Sequence, residues 1–564
     1  MSIRTARRLG RAGVLSALAA ALGLLVATVF VGLPTDPEGY GFGSTVSGGV
    51  QVSLGALMVV SGLVALRWQA AGAVGIAFAA TGIGLFASVQ YRPLMTVVLS
   101  ALLLIPAVLL WLSWQRQETV GRIASLAGIT ITLLGSTTMG SNRIYSYYFG
   151  PTHAESVAEE LESEEADWLW LGDVDPASAT IVAGGVDDGE DVELQYWVGS
   201  GVADASSIVT TADDYGLARF ALTGLSPTTH YRYAVIDVGD QPSEISGDAG
   251  FRTPAEGPQD LTVVLGSCAR SGSNGAVFDA MLFERPDLHL AMGDLHYANL
   301  DSTNPADHVR EYGRALSQPG QAALFSSVPT GYVWDDHDYG PNDSDGSASS
   351  RLAVSTAYRH AVPNYGVDPD PEASIAQAFT IGRVRFVLTD TRSHRSPESM
   401  LGPEQQAWLI EELTSSSRSH ALVVWVNPIP WIGAATSVAD NWSAYPDDRR
   451  AIADGLAEAG VQNLVMVSGD AHMLAIDDGT NSGYASDGSP GFPVLHAAAL
   501  DRRGSVKGGP YSHGTFPGPG QYGKLVVRDD GASTITVELS GHTWKRAEVL
   551  RLELEIAVPS GASV

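Results

Sequence analysis

Six short peptides carry the residues that could do chemistry. They are Gly266-Ser267-Cys268, Gly293-Asp294-Leu295-His296-Tyr297, Asp335-Asp336-His337-Asp338 with Asn342 just beyond, Asp390-Thr391-Arg392, Asn427-Pro428, and Ser468-Gly469-Asp470-Ala471-His472. Each follows an apolar run of strand length, and ligands of layered α/β folds bind outside the carboxyl ends of their strands. Cysteine, aspartate, tyrosine, histidine and asparagine repeated at such positions form a donor set for metal ions. Two cations about 3.5–4 Å apart can clamp the oxygens of a phosphate ester, hold a hydroxide in line and stabilise the leaving group. Two cations so close need an anion between them, and Asp294 is the candidate bridge. Tyr297 lies three residues further in the same turn and can reach the same ion. Thiolate and phenolate together favour Fe(III), whereas Asp336, Asn342 and Asp470 suit Ca2+ or another hard cation.

A lone cysteine is ordinarily a small buried hydrophobe. The register of Cys268 with the other strand ends makes it a ligand candidate. The surrounding Gly-Ser-Cys-Ala-Arg has no anion-cradling loop, so a cysteine nucleophile is not expected. His289 lies inside the run Leu288–Met292 and reads as a core histidine. Asp447 and Asp448 open a helical stretch, where acids suit the helix N-terminus. The segment 493–523, with His496 and His513, is rich in Gly and Pro and resembles no motif.

The elements that must position these residues are strands alternating with helices after Pro258: Leu261–Leu265, Leu288–Met292, Gly331–Trp334, Val384–Thr389, Ala421–Val426 and Leu464–Val467. This order argues for α/β layers. Before them, from Trp168, short strands separated by turn residues indicate an all-β sandwich. In Leu222-Thr-Gly-Leu-Ser-Pro-Thr-Thr-His-Tyr231-Arg-Tyr233 the tyrosine is placed to tie its hydroxyl back to the preceding corner, as in fibronectin type III modules. Residues 146–167 form an acidic linker.

Five apolar stretches, 12–33, 46–66, 70–89, 93–114 and 123–139, occupy the first 145 residues. Each approaches the ~20 residues needed to cross a bilayer. Arg4, Arg7, Arg8, Arg11, Arg67, Arg116 and Arg122 fall on one side, and Arg92 and Arg143 on the other. The positive-inside rule then predicts a cytoplasmic N-terminus, a multi-pass plasma-membrane anchor, and everything after about residue 145 outside. The formal net charge of -29 leaves no basic footprint for nucleic acid.

The motifs GSC, GDxxY, WDDHD with a following Asn, DTR and SGDxH resemble those of the PhoD-like alkaline phosphatases, a branch of the calcineurin-like metallophosphoesterases. The resemblance spans about residues 165–550. It implies a four-layer α/β/β/α catalytic core over 257–558, preceded by the fibronectin-III-like sandwich over 168–256; the all-α membrane domain expected over 1–145 is an addition to the family's usual pattern. It implies an iron and calcium cluster, with other divalent metals as substitutes. Cys268 and Tyr297 would bind iron, Asp294 would bridge, and Asp336, Asn342, Asp470 and His472 would complete the shell. His337 would assist the leaving group, Asp338 would orient His337, and Arg392 would grip the phosphate of the ester substrate. Hydrolysis of monoesters or diesters by a metal-held hydroxide is the expected reaction. A diesterase or phospholipase-type enzyme of envelope polymers or lipids is one alternative, and an inactive phosphate-binding surface receptor is another.

Overall fold

The computed structural model describes residues 5, 8–17, 19, 44–88, 93–114, 120–150, 166–199, 204–240, 250–436 and 440–562. The chain divides into two compact units, Met1–Gly150 and Pro151–Val564.

The first unit is helical. Helices span Ser44–Val64, Gln69–Ala87, Pro93–Trp114 and Val120–Phe149, one for each of the last four expected spans. Among the described residues, Gln69–Ala87 and Pro93–Trp114 are the two helices long and apolar enough to cross a membrane by length and composition. Ser53–Val64 is apolar but shorter. Most of the first expected span lies outside the described residues, as do Arg4, Arg7, Arg92 and Arg116. Small residues let the helices approach: a Cβ on Gly72 would lie 2.6 Å from the Ser61 carbonyl oxygen, and one on Gly84 3.1 Å from that of Thr96. Hydroxyls pair between the helices, Ser88 with Ser141 at 2.8 Å and Thr96 with Ser141 at 3.0 Å.

The second unit opens with β1 (Trp168–Gly172), β2 (Ser178–Gly184), β3 (Asp191–Val198), β4 (Ser206–Thr211), β5 (Leu217–Thr223), β6 (His230–Asp237) and β7 (Gly250–Arg252). They form a sheet β1-β2-β5 and a sheet β4-β3-β6-β7. Leu169, Ile181 and Phe220 of the first share a buried cluster with Leu194, Tyr233 and Val235 of the second. The Ser226 N–H donates to the Tyr231 hydroxyl at 2.8 Å, which fixes the corner before β6. Of the acidic linker, only residues 166 and 167 beyond the first unit are described.

The sandwich strands enclose this cluster and also pack on the layers that follow. Trp170 turns away from its sheet and packs edge-on against Phe325 and Tyr312, with ring centroids 5.1 and 6.0 Å away. The Tyr233 hydroxyl donates to the Ser326 carbonyl, and Arg219 donates to Val362 O at 3.0 Å. The boundary expected near residue 257 is therefore bridged by shared apolar packing.

The remaining strands are β8 (Leu261–Gly266), β9 (Leu288–Met292), β10 (Thr330–Val333), β11 (Gln377–Ile381), β12 (Val384–Leu388), β13 (Leu422–Asn427), β14 (Leu464–Ser468), β15 (Met473–Asp477), β16 (Val494–His496), β17 (Thr515–Pro517), β18 (Gln521–Arg528), β19 (Thr534–Thr543) and β20 (Glu548–Ala557). Two sheets result, ordered β10-β9-β8-β18-β19-β20 and β11-β12-β13-β14-β16-β15-β17. Alternation along the strands builds the layers. Val424, Val426, Val465 and Val467 face a core shared with Val263, Leu290 and Leu525 of the other sheet. Val423, Trp425, Leu464 and Met466 point the opposite way, onto Leu409, Leu413, Ile452 and Leu456 of the helices Gly402–Ser419 and Pro446–Ala459. Val277, Phe278 and Met281 of the helix Ala276–Phe283 join the first sheet. Helix, sheet, sheet and helix thus follow one another.

Candidate metal centre

Strands β8, β9 and β10 pair in parallel, as do β12, β13 and β14. Parallel pairing brings the carboxyl ends of each set to one edge, which is why residues far apart in sequence meet. Gly469 lies where the strand ends converge. A Cβ there would sit 2.6 Å from Met292 O, 2.9 Å from Pro428 O and 2.9 Å from the Ser267 Cβ. Gly293 has φ +85°, and a Cβ would lie 2.4 Å from that of Asp335.

The donors themselves bend the backbone. Cys268 (φ 65°), Asp294 (φ 55°), Asp470 (φ 67°) and His472 (φ 50°) all occupy the left-handed region. Side chains other than glycine seldom adopt it, and such conformations gather at functional sites. Here each turns a donor inward immediately after its strand.

Asp294 is the hub. One donor atom of each of Cys268, Asp294 and His472 lies within 4.8 Å of the others. The same holds for Asp294 with Asp336 and His337, and for Asp294 with Asp335 and Asp470. The Tyr297 hydroxyl donates to Asp294 Oδ2 at 2.7 Å and lies 3.0 Å from His472 Nε2. Cys268, Asp294, Asp335, Asp336 and Asp470 are buried. Asp294 Oδ1 and Asp335 Oδ2 are buried without a hydrogen-bond partner. Buried carboxylates need a cation or a full set of donors. The donor set therefore fits metal ions: thiol, phenol, imidazole and carboxylate on one side of Asp294, and carboxylates on the other.

Electrostatics agree. Burial, then Asp294 and Asp470, push the Cys268 thiol up. Burial, then Asp336 and Asp338, raise Asp294, and burial with Asp294 and Cys268 raises the Tyr297 phenol. Burial, with Arg502 and Lys507, keeps His472 neutral well below its usual range. A cation among these groups reverses the anion-raising shifts, because its ligands bind deprotonated.

Three expected roles meet different surroundings. Asn342 is exposed, in the turn after Gly340. The neighbouring Asp343 is exposed too, but its N–H donates to Asp336 Oδ2 at 2.6 Å, and its carboxylate clusters with Asp336 and Asp440. Asp338 does not orient the His337 ring. It lies beneath the site and accepts from the N–H groups of His296 and Asp335, both at 3.2 Å. The side chain of Asn299 meets His337 Nδ1 instead. Arg392 is fully buried and turned into a pair of carboxylates. Its Nε donates to Asp335 at 2.7 Å, and its two terminal nitrogens donate to Asp440 at 3.1 and 2.9 Å and to Ser344 O at 3.1 Å. Burial opposes its charge, but Asp335, Asp440 and Asp336 hold it protonated above the usual range.

Asn427 and Asp390 support the strand ends. Asn427 is bonded by Trp442 Nε1 at 3.0 Å, and Asp390 accepts from Trp334 Nε1 at 2.8 Å. His289 is buried against Phe325 and Thr330, a core histidine. Asp447 pairs with Arg450 on the surface, while Asp448 also accepts from Met400 N. His513 pairs with Asp478 at 3.5 Å.

The residues that the motifs do not reveal come from the segment after β16. Lys507 Nζ donates to both oxygens of Asp470, at 2.9 and 3.2 Å. The Arg502 guanidinium lies 3.8 Å over the Tyr297 ring. His496 accepts from Ala471 N at 3.2 Å and so supports the turn bearing His472. Cationic residues beside an acidic strand-end set are the only signal the sequence offers for them.

A solved structure described as the structure of PhoD is similar over 70% of this chain and 93% of its own, at 16% identity and a TM-score of 0.55, a likeness of fold. A purple acid phosphatase, PPD1 from yellow lupin (Lupinus luteus) seeds, aligns over 68% of this chain and 73% of its own, at 11% identity and a TM-score of 0.48. No curated protein matches the chain. Residues 263–494, which carry every strand-end donor from Cys268 to His472, match the family of the PhoD-like phosphatases.

Proposed function

We propose that the chain is a metal-dependent phosphoric ester hydrolase acting at the centre around Asp294. The observation that carries this reading is the convergence of buried Cys268, Asp294, Asp335, Asp336 and Asp470 with His472 and Tyr297, in a segment that matches PhoD-like phosphatases. Cys268, Tyr297 and His472 would hold Fe(III) together with Asp294, and Asp294, Asp336 and Asp470 would hold Ca2+ or another divalent ion. Bound there, the cations would polarise the phosphoryl oxygens and lower the pKa of water.

The chain's own groups supply the rest. Asp294 belongs to three of the donor clusters and so lies between the two proposed ion sites. The buried walls exclude bulk water, which strengthens each charge interaction with the ester. His337 lies 4.0 Å from the Tyr297 ring and has a nitrogen within 4.8 Å of Asp294 and Asp336 oxygens. It is the candidate proton donor to the departing alcohol, and Asn299 fixes its ring from the Nδ1 side. Arg392 neutralises Asp335 and Asp440 from below. Two apolar helices and the arginine asymmetry support a membrane anchor with the hydrolase outside.

Metal analysis and visible absorption of natively purified protein test the centre. Iron with a thiolate or tyrosinate charge-transfer band is the expected result, and an active, iron-free, colourless enzyme would reject the iron assignment. Turnover of monoesters against diesters, with and without dispersed lipid, separates the substrate classes. A metal-replete protein that hydrolyses none of them is the binding-only receptor.

A further inference from the structure

The phosphate of an ester needs a cationic donor that is not already spent, and Arg392 is spent. It is fully buried, and Asp335, Asp440 and Ser344 take its Nε and both terminal nitrogens. Arg502 differs. Among the described residues it makes no hydrogen bond and no ion pair, and its Nε is buried without a partner. Its guanidinium is held by its face, 3.8 Å over the Tyr297 ring. A guanidinium stacked by its face keeps its edge of N–H donors available.

The ring that holds Arg502 is part of the centre. Tyr297 reaches Asp294 through its hydroxyl, and His337 lies against the same ring. The segment carrying Arg502 is also fixed. Asp501 accepts from Arg270 N and Ser273 Oγ. The Ser505 N–H donates to His472 O at 3.0 Å, and its hydroxyl donates to Ala471 O at 2.7 Å. Lys507 closes the segment onto Asp470. A short loop tied at both ends therefore presents a stacked, unpaired guanidinium beside the metal donors.

We propose that Arg502, rather than Arg392, is the residue that grips the non-bridging phosphoryl oxygens of the substrate, with the contacts of Asp501, Ser505 and Lys507 positioning it. The inference rests on the phosphoester reading and assigns that site its phosphate contact. A guanidinium with two parallel N–H groups matches two phosphoryl oxygens.

The test uses the metal-replete full chain in detergent, with p-nitrophenyl phosphate as substrate and inorganic phosphate as competitive inhibitor. Arg502→Gln should raise KM and the phosphate inhibition constant by about ten- to a hundredfold at unchanged metal content, as expected for loss of a charge-assisted pair. Arg502→Lys keeps the charge and stem but loses the fork, and should give a smaller rise. It also serves if the glutamine variant does not fold. Calorimetric binding of inorganic phosphate should weaken in the same order. Active variants whose KM, inhibition constant and phosphate binding equal those of the parent overturn the inference and leave the hydrolase reading intact. A parent chain that neither hydrolyses esters nor binds phosphate overturns both.

Discussion

At the residue scale, the centre is a set of ordinary side chains made unusual by company. Cys268 is buried beside Asp294 and His472 with no disulfide partner in the chain. The iron-ligand role proposed for it predicts that Cys268→Ala loses iron and the visible band together with hydrolysis. Full activity at unchanged metal content would contradict it. Asp294 serves three clusters, so Asp294→Asn should lower kcat/KM beyond the ~10–100-fold typical of residues that only support a ligand. Metal content measured on the same sample would fall with it. For His337, the expected loss in His337→Gln is about 10²–10⁴-fold in kcat. The loss should be greater for esters of poorly acidic alcohols, which need the proton more than p-nitrophenol does. An equal loss across leaving groups would argue for a positioning role.

At the element scale, the strand ends must come very close. Gly469 has backbone oxygens on two sides of its missing Cβ. Gly469→Ala should destabilise the fold by about 1–3 kcal/mol through overpacking, read as a lower denaturation midpoint. Within β9, burial lowers the His289 pKa to about 3 from its usual 6.5. Below pH 6.5 the unfolded chain takes up a proton that the folded chain refuses until about pH 3. Stability from this group is therefore complete above 6.5 and lost as pH falls, at about 1.4 kcal/mol per pH unit. His289→Gln should flatten the slope of stability against pH in that window by this amount. Denaturant midpoints at a series of pH values measure it.

At the scale of the whole molecule, the sandwich and the layered core share Trp170. Its removal in Trp170→Ala should cost about 3–5 kcal/mol. Because the indole belongs to the common core, both parts should melt together in one calorimetric transition at lower temperature. Separate melting of the sandwich would show that its packing on the core is dispensable. The helical unit exposes Val74, Phe78, Leu94, Met95 and Leu102. Apolar surface of this extent marks an interaction with lipid or protein. In intact cells, an impermeant protease should digest the chain after the last helix. Protection until lysis would place the hydrolase inside.

Local pattern alone determined the strands β8, β9, β10, β12, β13 and β14 and the polar residues that follow each. Apolar runs and the turn residues after them are properties of adjacent positions. The same logic located the core histidine and the corner tyrosine. Strands β16 and β17, of three residues each, have no period to read, and β4 is an exposed polar edge. What only the tertiary structure decided was which charge meets which. Asp335 and Asp440 claim Arg392, and Lys507 closes on Asp470. These pairings join segments that are distant in sequence, and burial makes each charge take the nearest partner that packing supplies. The motif could therefore name Arg392 as the phosphate's partner, but only the packed structure shows that guanidinium engaged and Arg502, stacked on Tyr297, without an ion pair among the described residues.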